Sequence, residues 1–161
     1  MKPVKSIKPV KSIKPIKPNK KSGEGIARQV AALPWRLTDR LEIMLVSSRQ
    51  TRRWIIPKGW PMAGRAAFGA AAIEALEEAG LLGVIDETPF GRFTYAKTFS
   101  RGRSAACEVD VFPLRVIRQR RDWPEKGERE TRWFGAEEAA ANVSDPELGA
   151  LIARFADSRR A

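Results

Sequence analysis

The stretch GWPMAGRAAFGAAAIEALEEAGL, residues 59–81, decides the fold. Its second half has helical spacing and is expected to end at Gly80, because glycine adopts the left-handed conformation of a helix C-terminus at little cost. At about 100° per residue, Glu74, Glu77 and Glu78 fall within one narrow arc of this helix. The spacing therefore predicts three carboxylates on a single helix face.

The opposite side of the same helix is apolar. It carries Phe68, Ala72, Leu76 and Ala79, a stripe that we expect to dock the helix onto a core while the acidic face points outward. Like charges at i,i+4 spacing repel by about a few tenths of a kcal/mol. A hard divalent cation such as Mg²⁺ or Mn²⁺ would neutralise them, because it binds carboxylate oxygens and is often shared with substrate phosphates. The alternative is a solvated acidic face without a ligand.

Composition limits the chemistry. A chain of 161 residues with 43% hydrophobic content is typical of one globular domain. It has no histidine, which excludes histidine triads and histidine metal sites and leaves acid–base work to carboxylates, lysine, Tyr95 or metal-bound water. Cys107 is the only cysteine, and we interpret it as core filler. Without a long apolar run or a signal-type N-terminus, we expect a cytoplasmic protein with no membrane span.

Most of the formal net charge of +11 comes from the N-terminus. Residues 1–21, MKPVKSIKPVKSIKPIKPNKK, contain lysine at every third position up to Lys17, a period that matches polyproline II, while the prolines prevent a regular helix. We expect residues 1–25 to be a disordered tail and linker. Its role is either solubilising or a weak, salt-sensitive attraction to nucleic acid, anionic membrane or polyphosphate. The domain is then expected at residues 26–157, and 158–161 form the C-terminal end.

Runs rich in β-branched and alternating apolar residues predict strands on both sides of the helix. These runs are residues 26–35, 41–47, 54–56, 93–99, 105–117 and 131–134. Residues 83–88 are predicted to be a turn-rich connection, and Pro113 predicts a bulge or an edge position in its strand. Two more helices are expected at residues 136–142 and 146–156, the second with Asp145 as N-cap. This order indicates an α+β domain with a mixed sheet between helices.

The stretch from Gly59 to Leu81 resembles the signature box of the Nudix hydrolases: a glycine, five residues, a Glu, seven residues, then Arg-Glu-aliphatic-x-Glu-Glu-x-Gly-aliphatic. The matching residues are Gly59, Glu74, Ala75, Glu77, Glu78, Gly80 and Leu81. Two positions depart from the pattern, since Arg65 stands where the first Glu is expected and Ile73 where the Arg is expected. In the family that arginine orients a neighbouring glutamate, which Ile73 cannot do.

Two flanking segments are similar to the diphosphoinositol polyphosphate phosphohydrolases and their bacterial relatives. They are SSRQTRRWIIPKG at 47–59 and DWPEKGERETRWFGAEEAA at 122–140. The resemblance covers residues 26–156 and implies the Nudix fold, a mixed sheet sandwiched between helices. It also implies a metal-dependent hydrolase that cleaves a diphosphate linkage in an inositol pyrophosphate, a dinucleoside polyphosphate or a similar substrate. The alternative is a catalytically impaired Nudix-fold protein that binds a phosphate ligand or nucleic acid.

The resemblance further implies roles for individual residues. The catalytic carboxylates and ligands of Mg²⁺ or Mn²⁺ would be Glu74, Glu77 and Glu78, with the Lys58 carbonyl as a further ligand. The candidates for the general base are Glu74 first, then Glu125, Glu128 and Glu130. The cations that hold substrate phosphates would be Arg53, Lys58, Arg49 and Arg52, with Lys97, Arg101 and Arg103 as weaker candidates. Trp60 would stack on a base or shield the site.

Overall fold

A computed structural model describes residues 26–160, apart from the side chain of Ser100. The predicted tail at residues 1–25 lies outside the described residues, so its role stays a prediction. The strands are β1 (Ala27–Leu37), β2 (Leu41–Ser47), β3 (Trp54–Ile55), β4 (Lys58–Gly59), β5 (Leu81–Ile85), β6 (Gly91–Thr98), β7 (Ser104–Gln119) and β8 (Thr131–Gly135). The helices are α1 (Ala67–Ala79), α2 (Ala136–Asn142) and α3 (Pro146–Ser158). No helix in the described range is long and apolar enough to cross a membrane.

These strands form one mixed sheet. Its main order is β3-β2-β1-β7-β5, and β4 lies beside β1, β6 beside β7 and β8 beside β2. Strands β1 and β7 are parallel, with Ala27 opposite Cys107, whereas the other strand pairs are antiparallel. The predicted mixed sheet is thereby confirmed.

Side chains of the central strands alternate between two cores. In β2, Ile43 and Leu45 pack with Phe155 of α3, whereas Met44 and Val46 pack in the cluster that contains the alanines of α1. Consecutive strand residues point to opposite faces, so the sheet is buried on both sides. The predicted sandwich of a mixed sheet between helices is confirmed, and the bounds of α2 and the start of α3 agree with the sequence prediction.

Helix α1 packs with a different face from the one predicted. Its buried residues are Ala70, Ala71, Ala75, Glu78 and Ala79, whereas Ala72 and Leu76 of the predicted stripe are only half-buried. Alanine lets the helix approach the sheet closely, and larger residues such as Ile73 pack at its margin. The expectation that the acidic face points outward is wrong for Glu78, which lies on the buried side and is 4% exposed.

Residues 81–85 form an edge strand where the sequence analysis expected a turn-rich connection to begin. Strand β5 pairs with β7, and the register shifts between Leu82 and Gly83. A Cβ at Gly83 would lie 2.0 Å from the carbonyl oxygen of Arg115. The glycine therefore marks an irregular strand pair with close backbone approach, a signal that is easily mistaken for a turn.

Pro113 lies neither in a bulge nor on a free edge, which corrects the prediction. It is opposite Leu33 of β1, while on the other side of β7 the β6 partners end at Val111 and the β5 partners begin at Leu114. The Pro113 carbonyl accepts a hydrogen bond of 2.9 Å from the backbone N–H of Asp86. The nitrogen without a hydrogen thus faces the gap between β5 and β6, where no ladder bond is lost.

Gly69 lies in the first turn of α1, where packing does not require a glycine. A Cβ added there would meet no atom within 4 Å, and glycine inside a helix costs about 0.5–1 kcal/mol relative to alanine. We expect Gly69→Ala to raise the free energy of unfolding by about that amount, measured by urea denaturation. A free energy of unfolding below that of the unsubstituted chain would contradict the packing of α1 described above.

Candidate active site

The C-terminal end of α1 is joined to the loop between β7 and β8, residues 120–130. The backbone N–H of Glu125 donates to the carbonyl of Glu77 at 3.0 Å. Gly80 has a φ of 69°, and a Cβ there would lie 2.4 Å from the Trp123 ring. Glycine at this position thus both ends the helix and admits the tryptophan, which fixes the 120–130 loop beside the glutamates.

Strand β4 brings Gly59 against the side chain of Glu74. A Cβ at Gly59 would lie 2.3 Å from Glu74 Oε1, and Gly59 is held in the sheet opposite Val30 of β1. Only glycine leaves room for this carboxylate, so the first glycine of the box pattern has a direct steric role at the first glutamate of the helix.

Burial and crowding raise the pKa values of the helix glutamates. For Glu74, burial is the largest cause, followed by the charges of Glu78 and Glu77. Burial also raises the pKa of Glu78, while the positive charge of Arg129 opposes the shift. The pKa of Glu77 is raised by burial and then by Glu125. These carboxylates are close enough to favour a bound proton or cation.

Glu78 has an unpaired oxygen inside the protein. Its Oε1 is buried and has no hydrogen-bond partner among the described residues, while Oε2 lies 3.8 Å from an Arg129 Nη. A buried carboxylate oxygen without a partner is costly. A cation bound at Oε1 would remove that cost.

The donor chemistry of this cluster fits a hard divalent cation. Glu74 and Glu78 present adjacent carboxylates, which Mg²⁺ and Mn²⁺ prefer, and the unpaired Oε1 of Glu78 is free to coordinate. Within residues 26–160, however, no three Asp, Glu, Cys or His side chains are grouped so that they could hold a metal ion. The assignment of Glu74, Glu77, Glu78 and the Lys58 carbonyl as ligands accordingly stays a prediction.

Among the predicted phosphate-binding cations, Lys58 is the one whose charge acts on the pKa of Glu78. Burial lowers the pKa of its ammonium group, and the charge of Glu78 partly restores it. Its Nζ is 5.0 Å from the centre of the Tyr95 ring. Tyr95 in turn donates a hydrogen bond of 2.5 Å to the side chain of the buried Gln29. Lys58 thus lies over the Tyr95 ring, close enough to Glu78 for their charges to interact.

The three predicted arginines lie in the exposed turn between β2 and β3. Arg49 pairs with Glu128 of the 120–130 loop at 3.3 Å, Arg53 Nε donates to Thr51 at 3.1 Å, and Arg52 has a φ of 54°. The turn therefore lies beside the 120–130 loop, with its guanidinium groups at the surface. Their binding of phosphate stays a prediction.

The three loop glutamates differ in their surroundings. Glu125 contributes to the pKa shifts of all three helix glutamates. Glu128 instead pairs with Arg49, and Glu130 pairs with Arg132 at 3.3 Å. Glu125 is therefore the loop carboxylate that the fold brings closest to the helix cluster.

The weaker cation candidates lie on the β6–β7 hairpin. Lys97 Nζ is 5.6 Å from the Trp60 ring, and Trp60 stacks with Phe99 at 6.4 Å between ring centres. Arg101 and Arg103 are exposed in the turn that follows. The hairpin thus brings an aromatic pair and cations to the loop after β4, but contact of Trp60 with a ligand stays a prediction.

Sequence reasoning missed Arg129. Its side chain is 9% exposed and its Nε pairs with Glu125 at 2.9 Å, while an Nη donates to the Ser47 carbonyl at 3.2 Å. Its only sequence signal was its place between Glu128 and Glu130. Of the two departures from the box, Ile73 packs into the α1 core and Arg65 is exposed.

Comparison with curated proteins identifies relatives by sequence. The chain is 33% identical over 119 residues to diphosphoinositol polyphosphate phosphohydrolase 3-alpha of Mus musculus, covering 72% of this chain and 68% of that protein. It is 34% identical over 104 residues to the mitochondrial Nudix hydrolase 12 of Arabidopsis thaliana, covering 63% of this chain and 51% of that protein. The chain thus spans about half the length of that plant relative. No family model matches it.

Solved structures share the fold. A Nudix hydrolase from Nitrosomonas europaea superposes with a TM-score of 0.63 at 21% identity, covering 84% of this chain and 91% of that one. An Ap4A hydrolase of C. elegans superposes with a TM-score of 0.61 at 21% identity, covering 81% of this chain and 95% of that one. Together with the spacing of its helix glutamates, these matches establish that the chain belongs to the Nudix hydrolase superfamily.

Proposed function

We propose that this protein is a metal-dependent hydrolase that cleaves a diphosphate linkage in a phosphate-rich substrate. The observation that carries the proposal is the pair of adjacent carboxylates, Glu74 and Glu78, in which a buried oxygen of Glu78 has no hydrogen-bond partner among the described residues. Such a pair is unfavourable by itself and favourable around a divalent cation. The named relatives support the same class of activity.

An inositol pyrophosphate or a dinucleoside polyphosphate is the proposed substrate class. One relative is named as a diphosphoinositol polyphosphate phosphohydrolase, and one structural neighbour as an Ap4A hydrolase. Both compounds carry crowded phosphates, which suits a site whose edge is lined with exposed arginines. Because some relatives are named as mitochondrial, the cytoplasmic location stays a prediction. Weak contact of the lysine tail with nucleic acid also stays a prediction.

In the proposed mechanism, Glu74 and Glu78 would hold Mg²⁺ or Mn²⁺, with Glu77 and the Lys58 carbonyl as further ligands. The chemistry supplied by such a metal would be positive charge for the reacting phosphate and activation of the attacking water. Gly59 leaves room for the Glu74 carboxylate in its position against β4. Glu74 is the first candidate for the general base, with Glu125, Glu128 and Glu130 next.

The cations have a separate role, which is to bind and orient the substrate. Lys58 lies beside Glu78 and supplies a positive charge next to the metal ligands. Arg49, Arg52 and Arg53 would hold the more distant phosphates through their planar guanidinium groups. Arginine binding of this kind lowers KM, whereas the glutamates act on kcat.

A substrate panel tests the proposed function. Phosphate release should be followed with Mg²⁺ and with Mn²⁺ for inositol pyrophosphates, dinucleoside polyphosphates, nucleoside triphosphates and nucleotide sugars. We expect turnover of at least one of the first two classes, at rates at least about 10-fold above the last two. Absence of turnover for every compound with either metal would contradict the proposal.

The second candidate is a phosphate-binding protein without hydrolytic activity. It is favoured by Ile73, which packs into the α1 core and cannot orient a glutamate. In the same panel this candidate predicts saturable binding of a polyphosphate, measured by calorimetry, with no release of phosphate. The two candidates therefore give opposite results in one experiment.

A further inference from the structure

The 120–130 loop brings an arginine to the carboxylates from a part of the chain outside the box pattern. Arg129 is 9% exposed, and its guanidinium contacts three groups in different directions. Its Nε donates to Glu125 at 2.9 Å, one Nη donates to the Ser47 carbonyl at 3.2 Å, and the other lies 3.8 Å from Glu78 Oε2. The last contact is an ion pair without hydrogen-bond length.

The backbone around Arg129 is fixed independently of this side chain. The backbone N–H of Glu130 donates to Ser47 Oγ at 2.9 Å, and the N–H of Ser47 donates to the Glu130 carbonyl at 2.9 Å. Ser47 ends β2, so the loop is anchored to the sheet next to Arg129. A guanidinium on such an anchor has a defined direction, which is what a positioning group needs.

The charges around Arg129 explain why it is buried. It faces Glu78 and Glu125, and Lys58 is the other cation whose charge acts on Glu78. A buried guanidinium is stabilised by carboxylate partners, and two carboxylates that approach one another are stabilised by a cation between them. The planar fork of arginine satisfies both at once, whereas an ammonium group has no such geometry.

We propose that Arg129 is the positioning residue that stands in for the arginine missing at position 73, with one guanidinium holding Glu78 and Glu125 together beside the metal ligands. The inference rests on the proposed function. In this chain the loop between β7 and β8 would supply the orienting arginine that the box pattern places on α1. Arg129 would thus supply the orienting charge that Ile73 lacks.

The test compares the Kd for Mn²⁺, measured by electron paramagnetic resonance, in the unsubstituted chain and three variants. Arg129→Met removes the charge but keeps much of the side-chain volume, and Arg129→Lys keeps the charge but removes the fork. Arg132→Met is the matched control, because Arg132 lies in the same segment and pairs with the exposed Glu130. The unfolding temperature without metal is recorded for each variant. Loss of a purely structural arginine would lower this temperature without raising the Kd for Mn²⁺.

We expect the Kd to rise about 10- to 100-fold in Arg129→Met, to rise at least about threefold in Arg129→Lys, and to stay within about twofold in Arg132→Met. With a hydrolysed substrate, kcat should fall while KM changes little. A Kd within twofold of the unsubstituted chain in either folded Arg129 variant overturns the inference. If the unsubstituted chain binds Mn²⁺ but hydrolyses nothing, the proposed function fails while the Kd comparison still decides the role of Arg129. If it binds no Mn²⁺, both are overturned.

Discussion

Replacing Glu78 by Gln is expected to lower the affinity for Mn²⁺ by at least about 100-fold without lowering the stability of the metal-free protein. The carboxylate is 4% exposed, one of its oxygens has no hydrogen-bond partner among the described residues, and burial raises its pKa. A buried group of this kind opposes folding unless a cation is bound. Glutamine has the same shape without the charge, so it removes the metal ligand and the electrostatic cost together.

The measurement is thermal unfolding with and without Mn²⁺. The unsubstituted chain should gain stability with the logarithm of one plus the ratio of Mn²⁺ concentration to Kd, whereas Glu78→Gln should show the same unfolding temperature in both conditions. Glu137→Gln, an exposed glutamate on α2 with 83% side-chain exposure, is the matched control and should behave as the unsubstituted chain. A metal-induced shift of normal size in Glu78→Gln would rule out Glu78 as a ligand.

Replacing Gly59 by Ala is expected to reduce kcat/KM by about 100-fold, because the new Cβ would stand 2.3 Å from Glu74 Oε1 and displacement of a reacting group by about 1 Å has an effect of this size. The backbone of Gly59 has no positive φ, so the effect comes from the collision alone. The colliding atoms are the end of a flexible side chain, which can rotate away. The fold should therefore survive while the position of Glu74 is lost.

Three quantities separate these effects: kcat/KM, the Kd for Mn²⁺ and the free energy of unfolding without metal. For Gly59→Ala the first two should change strongly and the third by less than about 1 kcal/mol. Gly69→Ala is the matched control, because the same change on α1 meets no atom within 4 Å. Normal turnover by a folded Gly59→Ala protein would disprove the close contact between β4 and Glu74.

Local spacing was enough to predict the helix that carries the glutamates of the candidate site, but not β4, since Lys58 and Gly59 were expected in a turn. The positions of Glu74, Glu77 and Glu78 follow from helical geometry, and Gly80 ends α1 with a φ of 69° as its place in the pattern predicts. The apolar run at residues 41–47 likewise predicted a strand, which the structure shows as β2. These features depend on neighbours within one or two turns, which is the range over which sequence periodicity carries information.

Features that depend on distant partners escaped prediction. The buried face of α1 was predicted wrongly because alanine packs more closely against a sheet than Leu76 does. Helical periodicity gives no information about how closely the helix approaches the sheet. Strand β5 was missed because its partner is β7, a later segment. Arg129 was missed because its carbonyl partner, Ser47, is 82 residues away in sequence. In each case the deciding contact is tertiary.

The most direct test of the account is the initial rate of phosphate release from a diphosphoinositol polyphosphate and from a diadenosine polyphosphate, measured with Mg²⁺, with a chelator, and after Mg²⁺ is added back. The unsubstituted chain and Glu78→Gln are compared under the same conditions. The account predicts turnover of at least one substrate that the chelator abolishes, that added Mg²⁺ restores, and that Glu78→Gln reduces by at least about 100-fold. Turnover that is insensitive to the chelator and to the substitution, or no turnover of either substrate, would contradict it.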